Sequence, residues 1–351
     1  MRRTALAVGI IATVSMAAAS DAVDISIASL VTAPAAAEPR PVGPFPPQST
    51  VEVAAKGKKS EPVVAAKTIF GAEKVPAPLA ARSIGFYSRG CLAGAIDVPV
   101  DGKTWQVMRL SRNRNWGHPK LVALIKRLAK DGAEKDGWPG LLVGDISQPR
   151  GGPMLTGHAS HQIGLDADIW LTPMPDHRLT REEREKLSAT SMLGPDKVHA
   201  DPAVFTPRHS AIIRRAASYP EVERVLVHPG IKKAMCEEKG VSHKDFHKIR
   251  PYWGHHYHMH IRIACPAGST NCREQAPTAN DDGCGKEVDQ WIALLQRPPK
   301  IAKPGPKPKP KPPITLADLP AECRGVIAAG KDDGKKSGSA PAIGPRQART
   351  P

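Results

Sequence analysis

The chain has 351 residues, 36 of them proline and 30 glycine, with 40% hydrophobic and only 4% aromatic residues and a formal charge of +16. That is less proline and glycine than the ~25–30% of a wholly low-complexity chain, yet too little apolar content for two full cores, so one folded domain with irregular ends is expected. The absence of a glycine triplet or a sustained heptad excludes collagen and coiled coil, and a multi-span membrane protein is excluded because the only long apolar run is at the amino terminus.

Met1-Arg2-Arg3, an apolar stretch over 6–19 and small residues at Ala17, Ala19 and Ser20 read as a secretory signal peptide, residues 1–20. A second small-residue run, Ala35-Ala36-Ala37, leaves the cleavage point open up to 37, and an uncleaved anchor is the alternative. In both cases the rest of the chain is exported. Residues 21–82, rich in Pro, Ala, Lys and Val, bury too little apolar surface to offset their ordering entropy and read as a disordered tether.

Residues 83–297 have the pattern of a globular domain. His118-Pro119 opens a helix with the apolar stripe Leu121, Val122, Leu124, Ile125 and Leu128. A short strand follows over 141–146, then a helix over 208–218 and a strand over 222–227 ended by His228-Pro229-Gly230. Ser242 is expected to cap a helix carrying Phe246 and Ile249, and 286–295 closes the domain as a helix. Helices and strands mix without a βαβ rhythm, which predicts an α+β fold. Beyond it, 298–313 reads as an extended Lys-Pro spacer, 314–329 as a short apolar patch containing Cys323, and 330–351 as a disordered tail.

Six cysteines, an even number without a CxxC pair, fit an oxidising compartment and argue against a cysteine zinc site. Spacing alone does not choose among the pairings, although Cys265 and Cys272 form the easiest local loop. The positive charge has two readings. A nucleic-acid binder would interleave aromatics on a basic face. Here many lysines sit in the spacers and aromatics are scarce, so no nucleic-acid partner is expected. Anionic envelope polymers are the better partners, with a merely solvated surface as the alternative.

Two segments carry the chemistry. In 157–170 (GHASHQIGLDADIW) the second half alternates like a strand, with Leu165, Ala167, Ile169 and Leu171 on one side and Asp166, Asp168 and Trp170 on the other. His161 lies seven residues before Asp168, with Gly164 between them. In 253–263 (WGHHYHMHIRI), Tyr257, Met259, Ile261 and Ile263 are expected to pack inward, while His256, His258, His260 and Arg262 point the other way. Protonated imidazoles in a row repel, and a divalent cation resolves this by taking neutral nitrogen lone pairs. A catalytic zinc takes three His, Asp or Glu ligands and leaves one position for water. His161, Asp168 and one of His258 and His260 would complete that set. Six of the 13 histidines lie in these two segments, which favours a shared site over unrelated structural roles. The remaining histidines, and Asp145 and Glu221, are expected to be surface, capping or solvated groups.

GHASHQIGLDADIW and HHYHMHIRIACP together resemble the two signatures of the penicillin-insensitive murein endopeptidases, in the wider group of zinc peptidases that includes lysostaphin, the D-alanyl-D-alanine dipeptidases and the hedgehog domain. Further matches are Gln106-Val107-Met108-Arg109, Gly117-His118-Pro119, Gly144-Asp145 and Arg250-Pro251. The resemblance implies a hedgehog/DD-peptidase-like core with an antiparallel sheet, stapled by disulfides 91–323, 236–284 and 265–272. It implies one Zn2+ per chain on His161, Asp168 and His260, with His258 beside the attacking water and His158 and His255 around the site. Asp166 would orient a ligand imidazole or else lie at an exposed strand edge. The implied activity is periplasmic hydrolysis of the D-alanyl–meso-diaminopimelyl cross-link of peptidoglycan. A D-Ala-D-Ala or stem-peptide metallopeptidase and a non-catalytic metal-containing wall-binding module stand as alternatives.

Overall fold

The computed structural model describes residues 64–298 and 311–331; the expected signal peptide, most of the tether and spacer, and nearly all of the tail lie outside them. In chain order, helix α1 (Ala66–Ala72) leads into the hairpin β1 (Arg82–Phe86) and β2 (Arg89–Ala93). The short strands β3 (Ile96–Asp97), β4 (Asp101–Gly102) and β5 (Trp105–Val107) follow. A 3-10 turn at Leu110–Arg112 precedes β6 (Trp116–Gly117) and the long helix α2 (Pro119–Lys135). Strands β7 (Leu141–Val143) and β8 (Asp166–Trp170) bracket a long loop, after which come α3 (Arg181–Lys186) and α4 (Pro207–Ser218). The second half contributes β9 (Val222–Val227), α5 (Pro229–Glu237), β10 (Ile249–Pro251), β11 (His258–Ile263), α6 (Lys286–Leu295) and α7 (Glu322–Ala328).

The fold is α+β, as expected. A seven-stranded mixed sheet runs in the order β10-β9-β11-β8-β7-β5-β4. Its centre is the antiparallel pair β11 and β8, in which His260 stands opposite Asp168 and Arg262 opposite Asp166. One face of both strands, including Ala167, Ile169, Met259, Ile261 and Ile263, packs into the main core against α2 and α4. This follows from the two-residue period of a strand, which sends alternate side chains to opposite faces. No helix among the described residues is long and apolar enough to cross a membrane.

Two His-Pro pairs start helices by the same device. The Nδ1 atoms of His118 and His228 accept the N–H of Lys120 and Gly230, while the following prolines occupy the first helical turn, where a missing N–H costs nothing. His228, read from the sequence as ending a strand, therefore begins α5. The helix expected after Ser242 is instead a 3-10 turn at Phe246–Lys248 running into β10; Pro251 and the edge pairing of Ile249 with Val225 favour extension there.

Residues 64–82 correct the tether boundary: they are ordered, and α1 buries Ala66 and Phe70. They form a second core with Ile84, Cys91, Leu319, Cys323 and Val326. A side chain at Gly152 would put its Cβ 2.1 Å from the Phe70 ring, so the helix docks there only because glycine leaves room. Arg150, itself buried, donates from Nη1 to the carbonyls of Val326, Ile327 and Ala329 and pairs with Glu73, tying the segments around α1 and α7 to the loop before β8. The disulfides pair Cys91 with Cys323, Cys236 with Cys284 and Cys265 with Cys272, as the resemblance implies.

Candidate metal centre

The face of β8 and β11 turned away from the core holds Asp166, Asp168, His258, His260 and Arg262, all buried. His161 reaches the same place from the preceding loop. Its backbone is left-handed (φ 66°), uncommon for a residue with a Cβ, and is held there by its own N–H donating to Asp166 Oδ2 at 2.9 Å and by Ser147 Oγ donating to its carbonyl at 2.7 Å.

The hydrogen-bond partners assign the tautomers. His161 Nδ1–H donates to the Ile146 carbonyl at 2.7 Å, leaving the Nε2 lone pair free. His260 Nε2–H donates to Asp166 Oδ1 at 3.1 Å, leaving Nδ1 free. Those two nitrogens are 3.2 Å apart and lie 3.4 and 3.1 Å from Asp168 Oδ1. Tetrahedral zinc with ligands at ~2.0–2.2 Å needs donor–donor edges of about 3.3 Å. Two lone pairs and a carboxylate oxygen at that spacing fit a divalent cation. Burial alone would lower the His260 pKa, but Asp166 and Asp168 outweigh it and raise it.

Asp166 is fully buried and is neither exposed nor at an edge; it accepts from Arg262 Nε at 2.7 Å and Nη2 at 3.2 Å as well as from both histidines. Burial opposes its charge, yet Arg262 and then His260 hold its pKa well below the carboxylate range. Asp168 is likewise held low against burial, by His161, His258 and His158. The guanidinium of Arg262 in turn lies over the Tyr87 ring, 3.9 Å from its centroid.

Three further histidines surround the donors. His258 Nε2 is 3.6 Å from Asp168 Oδ1, its buried Nδ1 has no hydrogen-bond partner, and burial pushes its pKa down to about 4. His158 packs against His161, with centroids 4.2 Å apart and rings tilted by 50°, and places Nδ1 3.5 Å from Asp168 Oδ2. With His161 and Asp168 it forms a group whose donor atoms all lie within 4.8 Å; its Nε2–H donates to Asp145 at 3.0 Å, which leaves Nδ1 facing Asp168. His255 bonds the Trp253 carbonyl and sits 4.8 Å from the His258 ring and 5.8 Å from the His260 ring. His256, grouped with the strand face by alternation, instead turns to Ser191 Oγ, because β11 begins only at His258. Tyr257, expected inside, lines the cleft for the same reason.

Asp145 is the residue that sequence reasoning missed. Far from solvated, it is buried and accepts from Arg112, Arg114 and His158 at 3.0, 2.9 and 3.0 Å. Burial would raise its pKa, but the bond to His158 and the charge of Arg112 lower it strongly. The site opens into two cavities. One, of about 550 Å³, runs from Asp168 and His258 past Asp145 to Arg112. The other, of about 670 Å³, is bordered by His158, His161, His255 and His260. A second donor group, His243, Asp282 and Cys284, offers no thiolate because Cys284 is disulfide-bonded.

Residues 83–328 match the family described as penicillin-insensitive murein endopeptidase. Proteins of that name are similar to the chain. One from Klebsiella pneumoniae (strain 342) is 39% identical over 257 residues, 73% of this chain and 90% of the relative. One from Haemophilus influenzae is 40% identical over 226 residues, 64% and 78% of the two chains. One from Yersinia pestis is 38% identical over 235 residues, 66% and 84%.

Proposed function

The chain belongs to the penicillin-insensitive murein endopeptidase family, and from that membership we propose that it is a zinc enzyme hydrolysing the D-alanyl–meso-diaminopimelyl cross-link of peptidoglycan. His161, Asp168 and His260 hold one Zn2+ per chain. The observation that carries the reading is the 3.1–3.4 Å spacing of their three free donor atoms beside two cavities. Shared His-x6-Asp and His-x-His spacings support the hedgehog/DD-peptidase type of core. The disulfides support an oxidising compartment, here the periplasm, reached through the amino-terminal signal. Basic segments outside the core would meet anionic envelope polymers.

A bound zinc supplies Lewis acidity and lowers the pKa of a water toward ~7. The remaining work falls to side chains. His258 is neutral at pH 7, and its Nε2, 3.6 Å from Asp168 Oδ1, would let it hydrogen-bond and take a proton from a water held beside the donor set. The imidazolium so formed sits next to the developing oxyanion, stabilises it, and then returns the proton to the leaving amine. His158 borders both cavities and His255 the larger one, so both flank the reacting bond. Asp166 fixes the ring of His260 so that Nδ1 faces the other donors.

The test is the metal content of purified protein, paired with hydrolysis of cross-linked muropeptide dimers before and after chelation. About one zinc per chain and dimer-to-monomer conversion, lost on chelation and restored by zinc, is expected. Cleavage that survives chelation would overturn the metal assignment. Released D-Ala-D-Ala with dimers left intact would favour the dipeptidase, and zinc without turnover a wall-binding module.

A further inference from the structure

We propose that Arg112 is a specificity-determining residue that binds a free carboxylate next to the scissile amide. The inference rests on the cross-link reading above. Three guanidinium groups line the smaller cavity, and their hydrogen bonds separate their roles. Arg109 spends Nη1 and Nη2 on the carbonyls of Arg184 and Leu187, at 3.2 and 2.8 Å. Arg114 gives Nη1 to Asp145 and Nη2 to the carbonyl of Thr156 at 3.1 Å. Arg112 commits only Nη1, to Asp145, and its Nε and Nη2 have no partner among the described residues. Its side chain is 47% exposed, whereas that of Arg114 is 9% exposed.

Charge points the same way. Three guanidinium groups, Arg109, Arg112 and Arg114, face two carboxylates, Asp145 and Asp168, in the cavity lining, so it keeps an excess of positive charge. A planar guanidinium fork with two free donors matches a carboxylate in a way a lysine would not. The fork is also fixed in place. Arg112 ends a 3-10 turn between two left-handed residues, Arg109 (φ 57°) and Asn113 (φ 52°). Asn113 is itself pinned, accepting from Trp116 Nε1 at 2.7 Å and donating to the Lys74 carbonyl at 3.1 Å. A site held this way loses little freedom when it binds.

The substrate carries the complementary group. In a D-alanyl–diaminopimelyl link, the nitrogen that leaves is bonded to a carbon that also bears a carboxylate. That anion lies one carbon from the reacting bond. On the protein, Asp145 links Arg112 to His158 at 3.0 Å from each, and His158 lies 3.5 Å from Asp168. The free guanidinium edge is therefore two side chains away from the donor set, in the cavity that His258 borders.

The experiment uses two cross-linked dimers that differ only at this position, one with the carboxylate and one with a carboxamide. kcat/KM for each is measured on the zinc-loaded full chain, wild type, Arg112→Ala and Arg112→Lys. Wild type is expected to prefer the carboxylate roughly 10- to 100-fold, the range of a hydrogen-bonded charge. In Arg112→Ala the ratio falls to near one, and Arg112→Lys keeps part of it. A loss of stability or of general activity would lower both rates without moving the ratio. Equal use of both dimers by wild type, or an unchanged ratio in Arg112→Ala, overturns the proposal while leaving the endopeptidase reading intact. Failure of wild type to cut either dimer overturns both.

Discussion

Asp166→Asn tests the idea that one buried carboxylate both shapes the donor set and balances a buried cation. Four donors converge on its two oxygens: His260 Nε2 and Arg262 Nε on Oδ1, the His161 N–H and Arg262 Nη2 on Oδ2. Asparagine keeps one oxygen and presents an NH2 group to the other two donors, so two hydrogen bonds are lost and donors face donors. The Arg262 charge is also left buried without its partner, a change that costs about 3–5 kcal/mol. Freed from its carboxylate, the His260 ring no longer holds Nδ1 toward Asp168, and metal affinity falls about 10- to 100-fold, as for other outer partners of ligand histidines. Chelator competition reads the affinity and chemical denaturation of the stripped protein reads the stability. The double variant Asp166→Asn/Arg262→Gln removes both charges; it is expected to recover much of the stability but none of the affinity. Wild-type zinc affinity in Asp166→Asn would refute the orientation argument, whatever happens to the stability.

Three further outcomes follow from the same structure. His258→Ala should keep its zinc content while turnover on cross-linked dimers drops by about 100-fold or more; loss of zinc would instead make His258 a ligand. Burial holds His228 down to about 4 from an ordinary 6.5, so the unfolded chain binds the extra proton and stability falls as pH drops through that window. The term amounts to at most about 3 kcal/mol, and His228→Asn, which retains a capping acceptor, should flatten the acid limb of stability measured by denaturant between pH 7 and 4.5. An unchanged limb would show that other groups dominate. Arg150→Met leaves the carbonyls of Val326, Ile327 and Ala329 without their shared donor. It should cost about 3 kcal/mol and open the segment around α7 to protease before the main core; cleavage at the wild-type rate would refute this.

Elements with a strong internal period were legible without the structure. The stripe Leu121, Val122, Leu124, Ile125 and Leu128 is α2, and all five side chains are buried as its period requires. Where stability comes from distant partners, local pattern fails. Helix α1 has little apolar surface beyond Phe70, and that ring is buried by residues contributed from the far end of the chain, Cys323 and Val326 among them. The segment after His228 was similarly ambiguous: proline and glycine there signal a turn, whereas the histidine cap turns the same residues into the start of α5. Asp145 carried no chemical signal beyond its place in the Gly144-Asp145 match. It follows a short strand and a glycine, and its meaning comes from arginines on a turn some thirty residues earlier.

The site was legible for the reason that the core was. In β11 the residues that pack inward and those that reach the donors alternate one by one, and β8 does the same. A slip of one residue in their pairing would put Ile261 or Met259 opposite Asp168 and send the apolar set into the cleft. The burial of Ala167, Ile169, Met259, Ile261 and Ile263 therefore fixes the face on which His260, Arg262, Asp166 and Asp168 meet. A slip of two residues would keep that face but set Arg262 or His258 opposite Asp168, and the bonds of Asp166 to His260 and Arg262 select the observed pairing against it. His161 stands outside this rule because it comes from a loop. It requires a left-handed backbone and two hydrogen bonds to strand and loop neighbours to reach the same point, which is why spacing alone predicted its presence but not how it is held.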